Sequence, residues 1–159
     1  GGIAEAISLA AWFAEGEKIC VVLGDNIIEK NIIKAVKDFE MQKNGAKILL
    51  KEVPDPERFG VAEITNGKLR SIEEKPRAPK SNLAVIGIYL YDDRVFDFIK
   101  GIKPSDRGEL EITDVNNAYL KDGTMTWETL NGWWTDAGTF ESLLRASILV
   151  SQTGANNIS

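Results

Sequence analysis

Apolar residues in the first fifty positions alternate between helical spacing and short unbroken runs. Apolar side chains recur at helical spacing over residues 3–14 and again over 32–39. Residues 19–23 and 46–53 are instead short, apolar and rich in β-branched side chains, which is typical of strands. This α-β-α-β order predicts an α/β fold, a central mixed and mostly parallel sheet flanked by helices, with strand 19–23 buried on both faces.

The pattern after residue 53 predicts a hairpin and a second group of helices and strands. Asn66-Gly67 lies between two alternating runs, which is a strong hairpin signal and predicts a small β-hairpin lobe. Gly87 interrupts an apolar strand and indicates a bulge or a close backbone approach. The further predicted elements are strand 83–91, helices 92–100 and 110–121, strand 124–130 and a closing helix 139–150. We assign 1–150 to one domain and expect 151–159 to be a polar, frayed tail.

Composition and charge narrow the classes of function. The 159 residues carry a net charge of -5 with no basic run among aromatics, which argues against nucleic-acid binding. No stretch is long and apolar enough for a membrane span, and the single cysteine, Cys20, is consistent with a reducing compartment. We therefore expect a cytoplasmic protein with small-molecule partners. Because the sequence contains no histidine, Ser-His and Cys-His nucleophiles and His-ligated zinc are excluded from these residues.

One carboxylate and one lysine in these segments are candidates for chemistry. Asp25 directly follows strand 19–23, where open α/β sheets bind ligands, although Gly24-Asp25-Asn26 is equally typical of a turn. Lys75 precedes Pro76, which favours an extended backbone and a stiff segment suited to phosphate binding. The same lysine also fits a solvated, charged loop. The residue types alone leave both interpretations open.

The acidic residues further along the chain also have simple structural interpretations. Asp136 precedes a helix that Thr139 caps, so its carboxylate either helps to cap that helix or binds a ligand. Asp106 and Glu109 have the spacing of a capping box, which explains Glu109 without any ligand.

Six ordered segments together resemble one family: "LGDN", "DPERFGV", "EEKP", "SNLAVIGIY", "RGELEITDVN" and "WWTDAGT". The chain resembles the glucose-1-phosphate thymidylyltransferases of the sugar nucleotidyltransferase superfamily from Gly2 to about residue 150. The resemblance implies a Rossmann-like nucleotidyltransferase fold. It also implies that the full-length parent enzyme transfers a thymidylyl group from dTTP to glucose-1-phosphate, giving dTDP-glucose and pyrophosphate. The resemblance further implies that this parent enzyme is a homo-oligomer.

The resemblance also assigns roles to individual residues. Asp25 and Asp136 would hold Mg²⁺ on the nucleotide phosphates, and Lys75 would contact the sugar phosphate, so Asp25 and Lys75 are the expected catalytic residues. Gly2 would lie against the thymine. The remaining residues that the resemblance assigns to substrate binding are Gly60, Glu74, Val85, Tyr89, Glu109 and Trp134.

Departures from the family pattern limit what this chain is expected to do. The family's glycine-rich triphosphate loop belongs upstream of Gly2 and is not among these residues, so we expect the chain alone to be inactive. Phe59 stands where many relatives have Tyr, and Ala137 replaces the Thr of the usual motif. Two alternatives stay open: a module that binds sugar phosphates or sugar nucleotides without turnover, and a parent that uses another nucleotide or sugar.

Overall fold

A mixed β-sheet forms the centre of the molecule, and helices pack against it, as the pattern predicts. The structure is a computed structural model and describes residues 1–158. Its strands are β1 (Ile19–Val22), β2 (Asn26–Ile28), β3 (Ala46–Glu52), β4 (Gly60–Thr65), β5 (Lys68–Glu74), β6 (Leu83–Tyr91), β7 (Met125–Thr129) and β8 (Trp134–Asp136). Its helices are α1 (Ile3–Ser8), α2 (Ala11–Ala14), α3 (Ile33–Met41), α4 (Val95–Gly101), α5 (Ile112–Asp122) and α6 (Phe140–Thr153), with a 3-10 turn at Pro56–Arg58.

Strand β6 organises the larger sheet, whose order is β5-β4-β6-β3-β7. One edge of β6 pairs with β3, and the other pairs first with β4 and then with β1. Among the described strands only the β3–β7 pair is parallel, so the sheet has fewer parallel pairs than predicted. The reason is that β6 runs antiparallel between β1 and β3, a strand order that local apolar patterns do not encode.

The predicted irregularity at Gly87 is present. The β3–β6 register shifts so that Leu49 alone faces a stretch of β6 from Ile86 to Ile88, which is a bulge. A Cβ on Gly87 would lie only 2.5 Å from Nδ2 of Asn26, so the backbone approaches a side chain closely. This approach joins the centre of the sheet to the segment that follows β1.

Strand β1 differs from its prediction in burial. Ile19 and Val21 pack on the core beside α1, whereas Cys20 and Val22 are exposed. Within the described chain β1 pairs along one edge only, with β6, and one of its faces is uncovered. The expectation of a strand buried on both faces is therefore wrong for these residues.

The hairpin and the closing helix are confirmed, while the first helix and the tail differ from the prediction. Asn66 and Gly67 both have positive φ (53° and 71°), as a two-residue hairpin turn requires. The predicted helix 3–14 is broken into α1 and α2. The tail is not frayed over residues 151–158, because α6 continues to Thr153 and the amide of Asn157 donates to the carbonyl of Glu29 at 2.7 Å. No helix in the described range combines the length and apolarity that a bilayer span needs.

Gly45 provides a test of the packing between β3 and β7. Its φ is +104°, and an added Cβ would lie 1.9 Å from the carbonyl oxygen of Thr124. We expect Gly45→Ala to lower the free energy of unfolding by about 3 kcal/mol or more, because backbone strain and a backbone clash add together. Urea unfolding measures this change.

Gly67→Ala is the matched control, since Gly67 also has a positive φ but no atom lies within 4 Å of its added Cβ. It should cost about 1 kcal/mol, the backbone strain alone. Equal losses in the two variants would contradict the packing described for Gly45.

Candidate functional site

A cleft of 550 Å³ opens between the β4–β5 hairpin, the segment after β1 and the start of α5. Most of the site residues expected from the sequence line it: Asp25, Gly60, Glu74, Lys75, Val85, Tyr89, Trp134 and Asp136. Residues that sequence reasoning did not assign also line it, among them Asn26, Arg58, Thr113 and Asn116. The cleft therefore collects side chains from segments that are far apart in the sequence.

The two expected metal ligands are brought together by the short β2–β8 pair. Asn26 pairs with Asp136 in an antiparallel register, and the amide of Ala137 donates to the carbonyl of Asp25 at 2.7 Å. Gly138 lies between the carboxylates: a Cβ there would be 3.3 Å from Oδ2 of each aspartate. The two Oδ2 atoms therefore flank one small space, which a larger side chain than glycine would fill.

Each aspartate has one oxygen engaged by donors and one without a donor. Oδ1 of Asp25 accepts from Nδ2 of Asn26 at 2.8 Å. Oδ2 of Asp136 accepts from Nη2 of Arg58 at 2.8 Å, from Oγ of Ser142 at 3.1 Å and from the amide of Gly138 at 3.2 Å. Within residues 1–158 no hydrogen bond reaches Oδ2 of Asp25 or Oδ1 of Asp136.

This donor set fits a hard cation such as Mg²⁺. Such a cation usually takes one or two protein carboxylates and completes its shell with substrate phosphates and water. Across the described chain there is no cluster of three or more His, Cys, Asp or Glu side chains that would hold a metal alone. Asp136 also supports the start of α6 through Ser142, so the helix interpretation and the ligand interpretation are compatible.

Asn26 connects the parts of this site and was given no role from the sequence. Its Oδ1 accepts from the amide of Gly87 and from Nε1 of Trp134, both at 2.8 Å, while its Nδ2 donates to Asp25. Asn26 thereby fixes Trp134 at the cleft and orients the Asp25 carboxylate. The only sequence signal was its place in "LGDN" directly after the candidate aspartate.

Lys75 lies at the end of β5 with a backbone that the sequence did not predict. Pro76 favours an extended residue before it, yet Lys75 has φ +44°. Its amide donates to the carbonyl of Phe59 at 3.0 Å, which holds this strained turn at the base of the hairpin. The side chain is exposed and lines the cleft, so the lysine is available to a bound anion.

The other side of the cleft is polar but tightly packed. Oγ1 of Thr113 donates to Oε2 of Glu74 at 2.5 Å, and a Cβ on Gly60 would lie 3.3 Å from that hydroxyl. Tyr89 is buried and stacks on Tyr91, with ring centroids 6.1 Å apart. Burial, with the charges of Glu74 and Asp25, raises the pKa of Tyr89, so its phenol stays protonated and neutral.

Gly2 and Glu109 lie together but are not part of the cleft lining. A Cβ on Gly2 would be 2.7 Å from the carbonyl oxygen of Leu110 and 3.2 Å from Cβ of Glu109. Ile3, the residue after Gly2, and Ile112, three residues after Glu109, do line the cleft, so the pair adjoins it. The capping box proposed for Glu109 is wrong, because α5 begins only at Ile112.

Arg58 is a further residue of the cleft that the sequence analysis missed. Its Nη1 donates to Asp55 at 2.9 Å and its Nη2 to Asp136 at 2.8 Å. The guanidinium lies over the ring of Phe59, with Cζ 4.9 Å from the ring centroid. The hydrogen bond to Asp55 and the charge of Asp136 raise the pKa of Arg58, so the side chain stays a cation. It was missed because "DPERFG" reads as a charged, proline-rich loop.

Comparisons with known proteins agree with this fold and identify its family. Residues 1–153 match the Nucleotidyl transferase family. A glucose-1-phosphate thymidylyltransferase from Neisseria meningitidis serogroup A / serotype 4A is 44% identical over 153 residues, which are 94% of this chain and 53% of the relative. A Bacillus anthracis crystal structure, described as a glucose-1-phosphate thymidylyltransferase in complex with a sucrose, is 56% identical with a TM-score of 0.91. The match covers 96% of this chain and 62% of that one.

A more distant structure supports the fold alone. The crystal structure of UDP-glucose pyrophosphorylase complexed with UDP-glucose has a TM-score of 0.83 at 24% identity, and the match covers 95% of this chain and 62% of that one.

The chain belongs to the nucleotidyl transferase family, whose α/β fold it has, and the family resemblance drawn from the six motifs is confirmed. It spans about half the length of the curated relatives that it matches.

Asn26→Asp tests whether the Asn26 hydrogen bonds hold the site together. The change keeps the acceptor for Gly87 and Trp134 but turns the donor to Asp25 into a second negative charge. We expect a loss of about 1–3 kcal/mol in unfolding free energy at pH 7. The loss should shrink toward pH 4, because a protonated carboxyl at this position donates again.

The control is Asn44→Asp, which makes the same charge change at an exposed position away from the cleft. Urea unfolding measures the difference at the two pH values in both variants and in the unmodified 159-residue chain, which is called the parent chain below. A loss for Asn26→Asp that equals the control, or that grows as the pH falls, would contradict the role given to Asn26.

Proposed function

We propose that this chain is the sugar-phosphate-binding and metal-binding part of a glucose-1-phosphate thymidylyltransferase. The parent enzyme would transfer a thymidylyl group from dTTP to glucose-1-phosphate and release pyrophosphate. The observation that carries the proposal is the convergence of Asp25, Asp136 and Lys75 on one cleft from three separate segments. The names of the relatives supply the nucleotide and the sugar.

The cleft divides into two parts with different chemistry. The aspartate pair would hold Mg²⁺, which supplies neutralising charge at the phosphates when it is bound. Lys75 would pair with the phosphate of the sugar substrate, and Glu74 with Tyr89 would accept and donate hydrogen bonds at the sugar hydroxyls. Trp134, held by Asn26, would pack against the substrate between the two parts.

The residues of the cleft suffice for their share of the reaction without a general base. The second pKa of a phosphomonoester is about 6, so the sugar phosphate is largely dianionic at neutral pH and is itself the nucleophile. The protein must then position it in line with the nucleotide phosphorus and neutralise charge. Lys75 and Arg58 are the cations of this cleft that are suited to that task.

The activity expected of this chain alone differs from that of the full-length enzyme, because the chain spans about half the length of the curated relatives. Because the family's triphosphate loop is not among these residues, we propose that the chain alone binds sugar phosphate without turnover. A parent that uses another nucleotide or another sugar remains the alternative, since Gly2 is the only base-site residue expected in this chain. The cytoplasmic location and the homo-oligomeric parent stay predictions.

Calorimetric titration of glucose-1-phosphate into the chain with Mg²⁺ tests this proposal. We expect binding by the chain, and a loss of at least about tenfold in affinity for Lys75→Ala, because a charge-assisted phosphate contact is removed. Lys68→Ala is the matched control, since Lys68 is an exposed lysine of the same hairpin that does not line the cleft.

Circular dichroism confirms that each variant is folded. Two results would count against the assignment: no binding by the folded parent chain, or equal affinity of the Lys75→Ala and Lys68→Ala variants. Release of pyrophosphate by this chain from dTTP would instead overturn the expectation that it lacks turnover.

A further inference from the structure

Arg58 places a positive charge directly against one of the two proposed metal ligands. The contact is between Nη2 of Arg58 and Oδ2 of Asp136, at 2.8 Å. That oxygen is also the one that faces Gly138 opposite Oδ2 of Asp25. A guanidinium here would repel a divalent cation shared by the two carboxylates, because both carry positive charge next to Asp136.

The other contacts of Arg58 do not depend on Asp136. Nη1 donates to Asp55 at 2.9 Å, and Cζ lies 4.9 Å from the centroid of the Phe59 ring. Both partners belong to the same short loop as Arg58, beside the 3-10 turn Pro56–Arg58. These two contacts can therefore remain when the partner of Nη2 changes.

Asp136 is likewise held without Arg58. The amide of Gly138 and the hydroxyl of Ser142 donate to the same Oδ2, at 3.2 and 3.1 Å. These neutral donors orient the carboxylate and carry no charge that opposes a cation. The ion pair between Arg58 and Asp136 is thus not needed to position the ligand.

Arg58 and Lys75 are neighbours at the base of the hairpin. The amide of Lys75 donates to the carbonyl of Phe59, the residue next to Arg58, and both cations line the cleft. A phosphate bound by Lys75 would therefore lie in the same cleft as the Arg58 guanidinium. Arginine suits such a role, because its planar fork can bind two acceptors at once.

We propose that Arg58 is an exchangeable counterion: it neutralises Asp136 in the free chain, and Nη2 moves to a phosphate oxygen when a divalent cation takes the carboxylates. This inference rests on the proposed function of the cleft. It requires that the cation and the sugar phosphate strengthen each other's binding, since each favours the release of Nη2 of Arg58 from Asp136. If Arg58 only held Asp136 in place, its removal would weaken cation binding.

Binding of Mn²⁺, followed by the electron paramagnetic resonance signal of the free ion, tests the proposal on the folded chain. Each protein is titrated with Mn²⁺ alone and with Mn²⁺ in the presence of glucose-1-phosphate. For Arg58→Gln we expect Mn²⁺ alone to bind about tenfold more tightly than in the parent chain, because a nearby opposing charge is gone. The gain in Mn²⁺ affinity that glucose-1-phosphate gives the parent chain should disappear in this variant.

Two further variants separate charge from geometry. Arg58→Lys keeps the charge, so Mn²⁺ alone should bind as in the parent chain. The gain from glucose-1-phosphate should be smaller, because a compact ammonium lacks the planar fork with which a guanidinium can hold Asp55 and a phosphate at once. Arg77→Gln removes an exposed arginine that does not line the cleft, and it should behave as the parent chain does.

The outcomes separate this inference from the function on which it rests. If the parent chain binds Mn²⁺ and Arg58→Gln binds it with equal or lower affinity, the counterion role is overturned but the metal site is not. An unchanged gain from glucose-1-phosphate in both Arg58 variants would also overturn it. Failure of the folded parent chain to bind Mn²⁺ would overturn the metal site and this inference together.

Discussion

The pairing of β2 with β8 is the interaction on which the site depends. It involves only three residues of each strand, yet it joins segments more than a hundred positions apart and places Asp25 beside Asp136. The pair is stabilised by Asn26, whose amide binds the bulge of β6 at Gly87, the indole of Trp134 and the carboxylate of Asp25. The glycine is required there, because any side chain at that point of β6 would displace Asn26. Sheet, bulge and site thus form one connected arrangement.

Charge balance determines what the cleft can bind. Two carboxylates within one small space repel one another and need a counter-charge, which a buried carboxylate such as Asp136 cannot obtain from water alone. In the free chain Arg58 provides that charge on one side, and the second aspartate stays exposed. Lys75, held in a strained backbone by Phe59, adds a cation where a phosphate would lie. A ligand that combines a divalent cation with phosphate groups, as proposed for this cleft, would satisfy all of these charges together.

The sequence predicted the long elements well and the connections between them poorly. The β4–β5 hairpin, strand β6 with its irregular glycine and the capped helix α6 follow from turn chemistry and periodicity that are local. Strands β2 and β8 are too short to show a period, and their pairing is not local, so neither was predicted. The exposed face of β1 was missed for a similar reason, since an apolar run does not say whether a neighbour covers it. The motifs located most of the cleft residues. The roles of Arg58 and Asn26 could be recognised only in the structure, because they depend on which partners these side chains contact.

Paramagnetic broadening of amide signals by Mn²⁺ in a ¹H–¹⁵N spectrum of this chain is the most direct test of the central claim. The account predicts that trace Mn²⁺ broadens first the amides around Asp25, Asn26 and Asp136–Gly138, and spares the exposed carboxylates of Asp93 and Asp97 around the start of α4. Broadening that begins at Asp93 and Asp97, or that spreads evenly over exposed carboxylates, would contradict a cation site built by the β2–β8 pair.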